Sequence, residues 1–172
     1  MNKNNSQTFS LKYVLLMVTL LVSSIGIAQN TVQLSDFNFL DNTDWIGKLM
    51  YINYSDGREV VIDADLSIRI EKKKLIFESK YPKEPKANDK SIIKISDDGT
   101  QFGKETVTVF KNDPSNGRLM MITTSEGKDN NQMAMFIKTY DFNGDKAIIT
   151  KEVQYAGAGE RFIRNKYSYT KL

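Results

Sequence analysis

The clearest pattern in the chain is an alternation of apolar and polar side chains over residues 59–71, in which Val61 is the one apolar residue on the polar face. Because successive side chains of a β-strand point to opposite faces, this period of two predicts a strand with one buried and one solvent-facing side. A strand of this length is expected to bend or to carry a bulge. The predicted buried face comprises Val60, Ile62, Ala64, Leu66, Ile68 and Ile70.

Turn sequences divide the rest of the chain at regular intervals. Four of them pair Asp or Asn with Gly, the combination that type I′ hairpin turns favour because both central residues need a positive φ. They are Asp56-Gly57, Asp98-Gly99, Asn116-Gly117 and Asn143-Gly144. We predict two further breaks, at residues 126–128 and 156–159, and this spacing indicates an all-β chain of antiparallel hairpins.

These runs and turns predict nine strands and one long irregular loop, residues 81–90, where Pro82 and Pro85 exclude a central strand. No segment looks like a crossover helix or a domain linker, so we expect an up-and-down meander. Closing such a sheet into a barrel of about 8–10 strands removes its exposed edges. The predicted strands cover residues 44–54, 59–71, 75–81, 91–96, 101–111, 118–125, 131–141, 146–155 and 160–171.

The first 28 residues are predicted to be a cleaved signal peptide. Lys3 and Lys12 make its start basic, a short apolar run follows, and Gly26-Ile27-Ala28 supplies the small residues that signal peptidase requires. The protein is therefore expected to be exported, to the periplasm or out of the cell. No integral membrane segment is expected after cleavage, and without Cys no lipid can be attached through a thiol.

The remaining chain is predicted to form one domain. Residues 29–43 are expected to be a lead-in, with Phe37, Phe39 and Leu40 in a short helical turn against the end of the domain. Residues 44–172 are expected to form the barrel. Beyond the predicted signal peptide the chain has 22 basic and 21 acidic residues, so its charge does not indicate a nucleic-acid partner.

The chain has no Cys and no His, which removes many kinds of chemistry. Thiolate nucleophiles, Ser–His triads, His or Cys zinc sites and His-ligated haem are all excluded. We identify no nucleophile paired with a base, and we predict no catalytic residue, no metal site, no cofactor and no enzymatic activity. Asp63 and Asp65 oppose the apolar face of their strand, and residues 141–145 have the wrong spacing for a calcium loop.

Trp45 and Gly47 stand at the head of the first predicted strand, and the last strand carries Arg161, Arg164, Tyr167 and Tyr169. In these features the chain resembles the calycins, the lipocalin and fatty-acid-binding group of β-barrels. The resemblance implies a lipocalin-like barrel. In that family a tryptophan near the start of the first strand plugs the closed end, and an arginine of the last strand packs across it. Here that arginine would be Arg161 or Arg164.

Two details qualify what the resemblance implies. The family pattern is Gly-x-Trp, whereas this chain has Trp45-Ile46-Gly47. The fatty-acid-binding branch holds a carboxylate with Arg-x-Tyr in its last strand, and the corresponding triplet here is Asn165-Lys166-Tyr167. Residues 45–86 are also similar to small exported β-barrel proteins of Bacteroidetes-type bacteria without an assigned function.

Flexible Met side chains and aromatic rings on the strands are the candidate lining of an internal cavity, because they accept varied apolar ligands. The same residues would equally serve as ordinary core filling. The candidate cavity residues are Trp45, Tyr51, Met121, Met133, Met135, Phe136, Tyr167 and Tyr169, of which Tyr167 and Tyr169 are expected to share a face with Ile163.

The function predicted from these observations is that of an exported binding protein holding a small apolar, lipid-like ligand inside the barrel. A barrel of this size is wide enough for one such ligand, or just narrow enough to be filled by its own side chains. The second case gives the alternative, a non-enzymatic interaction protein that contacts a partner through loops such as residues 81–90.

Overall fold

The computed structural model describes residues 30–157 and 159–172, so the predicted signal peptide lies outside the described residues. Within the described ranges the chain is built of antiparallel strands and three short 3-10 helices. No helix there is long and apolar enough to cross a membrane. The strands are β1 (Thr43–Ile52), β2 (Glu59–Asp63), β3 (Asp65–Glu71), β4 (Lys74–Lys80), β5 (Asp89–Ile93), β6 (Gln101–Phe102), β7 (Glu105–Asp113), β8 (Arg118–Asp129), β9 (Gln132–Asn143), β10 (Lys146–Tyr155) and β11 (Phe162–Lys171).

The strands form an up-and-down meander, as predicted. The sheet runs in the order β5-β4-β3-β1-β11-β10-β9-β8-β7-β6, and β1 also pairs with β2. Strands β2 and β3 are two halves of the predicted strand 59–71, interrupted at Ala64, whose amide still donates to the Gly47 carbonyl at 3.0 Å. Counted as one, they give a nearly closed barrel of ten strands, which confirms the predicted fold class.

The barrel closes weakly where the two ends of this sheet meet. A single bridge, Ile95 to Phe102, joins the continuation of β5 to β6. The predicted strand 101–111 is wrong in one respect, because the chain reverses at Gly103 (φ +66°) to make a tight hairpin between β6 and β7. The bridge lies beside this hairpin. Beyond it β5 pairs with β4 alone, which leaves a seam between β5 and the hairpin.

The predicted turns are correct in position but not in type. Gly57, Gly99, Gly117 and Gly144 have positive φ, but the Asp or Asn before each does not, so these are not type I′ turns. Consecutive positive φ values occur instead at Lys72-Lys73 and Asn130-Asn131. The break predicted at residues 126–128 is wrong, since β8 continues to Asp129.

One end of the barrel is closed by the lead-in segment. A 3-10 helix, Leu34–Leu40, buries Phe37 and Leu40 completely, as the apolar spacing predicted. Phe37 stacks on Phe102 with ring centroids 5.5 Å apart. Trp45 lies in the same core, edge-on to Phe142 at 5.9 Å. The floor of the barrel is therefore solid aromatic core.

Gly47 is fixed by packing rather than by backbone conformation. A Cβ atom at this position would stand 2.2 Å from the Ser168 carbonyl oxygen and 2.6 Å from the Tyr169 ring. Only Gly lets β1 lie this close to β11. The close approach also sets the position of Tyr169, which lines the cavity described next.

Candidate functional site: a cavity inside the barrel

A cavity of about 520 Å³ occupies the middle of the barrel above the aromatic floor. Its lining includes Ser91 and Ile93 of β5 on one side of the seam and residues 103–105 of the hairpin on the other, so the cavity reaches the weak closure. Most of the other lining residues come from β3, β4 and β9–β11. The lining residues are Leu66, Phe77, Ser79, Tyr81, Asp89, Ser91, Ile92, Ile93, Phe102, Gly103, Lys104, Glu105, Lys138, Tyr140, Ile149, Thr150, Lys151, Asn165, Tyr167 and Tyr169.

The deep wall of the cavity is apolar and aromatic. Leu66 and Phe102 are fully buried there. Tyr140 meets Phe102 edge-on at 5.3 Å, and Tyr167 stacks on Tyr169 at 5.7 Å with nearly parallel rings. Burial raises the pKa of Tyr169 well above its usual range, so its hydroxyl stays neutral. This wall suits the apolar body of a ligand.

A row of polar side chains lies next to the apolar wall, one layer further from Trp45. Lys138, Lys151 and Asn165 stand directly opposite one another on β9, β10 and β11. Two residues along each strand, towards the floor of the barrel, lie Tyr140, Ile149 and Tyr167, which are also opposite one another. Two residues along a strand correspond to roughly 7 Å. The polar row and the apolar wall are therefore neighbouring layers of one cavity.

Glu105 is the acceptor at one end of this row. Its carboxylate accepts hydrogen bonds from Thr123 Oγ1 at 2.6 Å and from Tyr140 Oη at 3.3 Å, and it forms an ion pair with Lys138. Burial, followed by the charge of Glu105, raises the pKa of Tyr140 well above normal. The charges of Glu105 and Lys138 thus satisfy each other inside the barrel.

Lys151 has no such partner. None of the carboxylates in residues 30–157 and 159–172 forms an ion pair with it, and its Nζ lies 4.0 Å from the centre of the Phe136 ring. Burial lowers the pKa of Lys151, because removing an ammonium from water disfavours its charged form. The row therefore carries one positive charge that the protein itself does not neutralise.

The long loop is attached to the cavity through its first residue. Tyr81 Oη and Tyr167 Oη are 3.0 Å apart and share a hydrogen bond. Burial, with this hydrogen bond as the second cause, raises the pKa of Tyr167 well above its usual range. The Tyr81 amide donates to Asn88 Oδ1 at 2.7 Å, which folds the loop back on itself. The base of the loop is thus part of the cavity wall.

A second polar cluster lies beyond the cavity, at the end of the barrel opposite Trp45. Asp129 is 2% exposed and accepts hydrogen bonds from Tyr54 Oη at 2.6 Å and Tyr155 Oη at 2.7 Å, and it pairs with Arg164. The guanidinium of Arg164 also lies 4.3 Å from the Tyr54 ring centre. Burial alone would raise the pKa of Asp129, but the hydrogen bonds from Tyr54, Tyr155 and Arg164 outweigh it and hold this pKa below normal. The cluster joins β8, β10, β11 and the β1–β2 loop.

The structure brings several predicted site residues to the barrel interior. Tyr167 and Tyr169 line the cavity, while Trp45 and Met121 are buried in the core beneath it. Tyr51 stands opposite Asn165 in the β1–β11 ladder, and Phe136 contacts Lys151. Of these six residues, only Tyr167 and Tyr169 line the cavity itself.

Met133 and Met135 are placed differently from the prediction. They are 51% and 43% exposed and contribute to a shallow groove on the outer wall with Glu126 and Ala156. Their strand continues the alternation in which Tyr140 and Phe142 face inward, so odd-numbered positions at this end of β9 face outward. Neither Met side chain lines the cavity.

The last strand corrects two further expectations. A register shift opposite Lys151 and Glu152 places Ile163 outside, 40% exposed, rather than on the face of Tyr167. Of the two candidate arginines, Arg164 is the buried one, at 8% exposure. Arg164 does not pack across Trp45, because the two residues lie at opposite ends of the β1–β11 ladder. Trp45 stands opposite Lys171, whose Nζ lies 5.8 Å from the centre of the Trp45 ring.

The polar cavity residues Glu105, Lys138 and Lys151 were not predicted from the sequence. A signal for two of them was present: Lys138 has the same parity as Tyr140 and Phe142, and Lys151 the same parity as Ile149 and Val153. A lysine at an inward position of a strand is a candidate cavity residue. Within the described ranges, no three acidic side chains lie close enough together to hold a metal ion.

No protein-family model and no curated protein matches the sequence. Among solved structures, the chain is similar to a protein of unknown function from the DUF3598 family of Nostoc punctiforme PCC 73102, with 16% identity and a TM-score of 0.44. That likeness covers 83% of this chain and 50% of the Nostoc protein, so the chain spans half the length of that protein. The chain is also similar to Rv2717c from M. tuberculosis, with 10% identity and a TM-score of 0.47 over 81% of this chain and 96% of that one. Likenesses this distant support no conclusion about function.

Proposed function

We propose that the protein is a binding protein that holds one small molecule with an apolar body inside its barrel. The observation that carries the proposal is the cavity of about 520 Å³ between the aromatic floor and the polar row. Ligand pockets in proteins have volumes of roughly 300–1,000 Å³ and are lined mainly by apolar and aromatic groups with a few polar ones. The seam between β5 and the β6–β7 hairpin is the proposed entrance.

The cavity speaks against the alternative of a barrel filled by its own side chains. Such a barrel would continue the packing around Trp45 and Phe142 up to the level of Lys151. Instead, packing stops at the layer of Tyr140 and Tyr167. An interaction through loop 81–90 would also have to accommodate Tyr81, which is hydrogen-bonded to Tyr167 inside the wall.

Two finer proposals accompany the binding function. The meander, the tryptophan in the floor and the internal cavity support a calycin-like barrel, although the arginine is at the other end. Export is supported by the sequence pattern of residues 1–28. A relationship to exported proteins of Bacteroidetes-type bacteria is supported by the sequence of residues 45–86 alone.

We also infer that the protein is not an enzyme. Three groups hold Glu105 as a hydrogen-bond acceptor, which leaves it poorly placed as a general base. The one feature that favours catalysis is the lowered pKa of Lys151, a property of lysines that act as nucleophiles. Incubation with decanal and borohydride, followed by peptide mapping, would show such chemistry as modification of Lys151 in preference to the exposed lysines, and we expect no such preference.

Blocking the cavity tests the binding proposal. Ser79 lies on the inner face of β4 and lines the cavity, so Ser79→Trp should fill part of it. The matched control is Ser168→Trp, because Ser168 is exposed on the outer face of β11. With N-phenyl-1-naphthylamine, a neutral apolar dye, fluorescence titration should show one site per chain in the native protein and the control. Ser79→Trp should lose at least tenfold in affinity, and equal affinities in all three proteins would overturn the proposal.

A further inference from the structure

The cavity has one charge that its own residues leave uncompensated. Its lining carries three lysines, Lys104, Lys138 and Lys151, against two acids, Asp89 and Glu105. Lys104 and Asp89 are exposed at the seam, and Lys138 is paired with Glu105. The excess positive charge therefore lies at Lys151, in the interior.

The surroundings of Lys151 leave one direction open for an anion. Phe136 covers one side of the ammonium at 4.0 Å. Lys138 on the neighbouring β9 is positive and already engaged, so it repels rather than pairs. On the other neighbour, β11, Asn165 presents an amide that can donate a hydrogen bond. Both Lys151 and Asn165 line the cavity, and the anion would be reached from there.

We propose that Lys151 and Asn165 form the binding site for the carboxylate of an organic acid whose apolar body lies against the deep wall. This inference rests on the proposed function and names its ligand class. A single excess charge matches a monoanion. The wall formed by Ile149, Tyr167 and Tyr169 begins one layer below the ammonium, so the head group and the apolar body have adjoining places.

Energetics favour an anionic ligand over a neutral one at this position. A half-buried ammonium has lost part of its hydration, and this cost is recovered only when an anion or strong acceptor pairs with it. Hydrogen bonds between charged partners are stronger than those between neutral groups. A carboxylate gains this interaction and an alcohol of the same chain length gains less.

The experiment compares decanoic acid with 1-decanol at neutral pH, measured by isothermal titration calorimetry and by displacement of N-phenyl-1-naphthylamine. The native protein should bind the acid about tenfold or more tightly than the alcohol, the ratio expected for one charge-assisted hydrogen bond. Lys151→Met should abolish this preference, because it weakens the binding of decanoate much more than the binding of decanol. Lys151→Arg keeps the charge and should keep the preference, and Lys128→Met, an exposed lysine on β8, is the matched control.

Each result decides something. Loss of the preference in Lys151→Met alone supports the site. A native protein that binds acid and alcohol equally, or a preference that survives in Lys151→Met, overturns the carboxylate site while the binding function stands. If the native protein binds neither probe nor the dye, the binding function fails and the carboxylate site fails with it. A native far-ultraviolet circular dichroism spectrum and retained decanol binding show that a variant is folded.

Discussion

At the scale of single residues, the interior of this barrel is organised around two inward-facing acids with different partners. Glu105 pairs with Lys138 inside the cavity, and Asp129 pairs with Arg164 beyond it. Both acids also accept hydrogen bonds from tyrosines, Tyr140 for Glu105 and Tyr54 and Tyr155 for Asp129. Lys151 is the cation between the two pairs, and this explains why its charge is available to a ligand.

Asp129→Asn should be strongly destabilising, by about 3–5 kcal/mol, because it leaves the Arg164 charge buried without its partner. The pKa of folded Asp129 is lowered, so its contribution is complete above the unfolded value of about 3.9 and is lost as the pH falls through the folded value. Urea unfolding between neutral pH and pH 3 should therefore show a smaller acid-induced loss of stability in the variant. Asp145→Asn, at an exposed turn, should behave like the native protein, and an equal effect of both substitutions would contradict the account.

The pH dependence of acid binding should follow Lys151. The pKa of Lys151 is lowered, chiefly by burial. As the pH rises, its charged form and the affinity for decanoate should therefore decline earlier than for an exposed lysine, whose pKa is about 10.4. Glu105 and Asp129 raise the pKa of Lys151 while Lys138 and Arg164 lower it, and Tyr140, Tyr167 and Tyr169 stay neutral through this range. Calorimetry at rising pH should show falling decanoate affinity with constant decanol affinity. In Lys151→Arg the decline should disappear, and a decline that persists there would assign it to another group.

At the scale of elements, the alternation of side chains carried most of the information in the sequence. It predicted the inner face of β2 and β3. The length of that strand predicted a bend or bulge, and the structure has an interruption at Ala64 across which the register with β1 is unchanged. The alternation did not predict the end of β8, because Gly127 looks like a turn residue. Gly127 is required by tertiary packing and not by a turn, because a Cβ atom there would lie 2.6 Å from the Phe136 ring. The bulge in β11 that separates Ile163 from Tyr167 likewise has no signature in the local sequence.

The candidate site was less predictable than the fold. The aromatic residues Tyr167 and Tyr169 were predicted from their residue type and from a face expected to be shared with Ile163. They line the cavity, although Ile163 lies outside. The polar row was not, since Lys is common on the outer walls of barrels and only its parity distinguishes Lys151 from them. The pairing of Glu105 with Lys138 also depends on the hairpin at Gly103, which turns β7 into position.

The 3-10 helix should contribute to stability as the closure of the barrel floor. Phe37→Ala removes a fully buried ring that stacks on Phe102 and should cost about 3–5 kcal/mol. Asn38→Ala, on the exposed side of the same helix, is the control. Chemical denaturation measures both, and a similar small effect for the two would show that the helix is not part of the core.

Gly47→Ala should destabilise the β1–β11 pairing, by about 1–3 kcal/mol or more, because the new methyl would overlap the Ser168 carbonyl oxygen and the Tyr169 ring. The shift of Tyr169 should also weaken binding of N-phenyl-1-naphthylamine. Gly159→Ala is the matched control, since a Cβ there meets nothing within 4 Å. Thermal unfolding and the dye titration together check this, and normal values for Gly47→Ala would contradict the close approach of the two strands.

At the scale of the whole molecule, the barrel has three levels with different roles. The floor around Trp45 and Phe37 is solid core, the middle level holds the cavity, and the cluster of Asp129 and Arg164 ties the far end together. The wall is continuous from β5 round to β6 except at the seam, where one bridge closes it. Two well-packed ends and one weakly paired seam are consistent with the proposed binding protein, in which the ligand enters through the side of the barrel.

The most direct test of this account is a crystal structure of the protein with 11-bromo-1-undecanol, whose bromine is located by anomalous scattering. The account predicts one bromine site per chain inside the barrel, against the wall formed by Phe77, Tyr140 and Tyr169. A cavity filled by the protein's own side chains, or bromine found only on the outer wall beside Met133 and Met135, would contradict it.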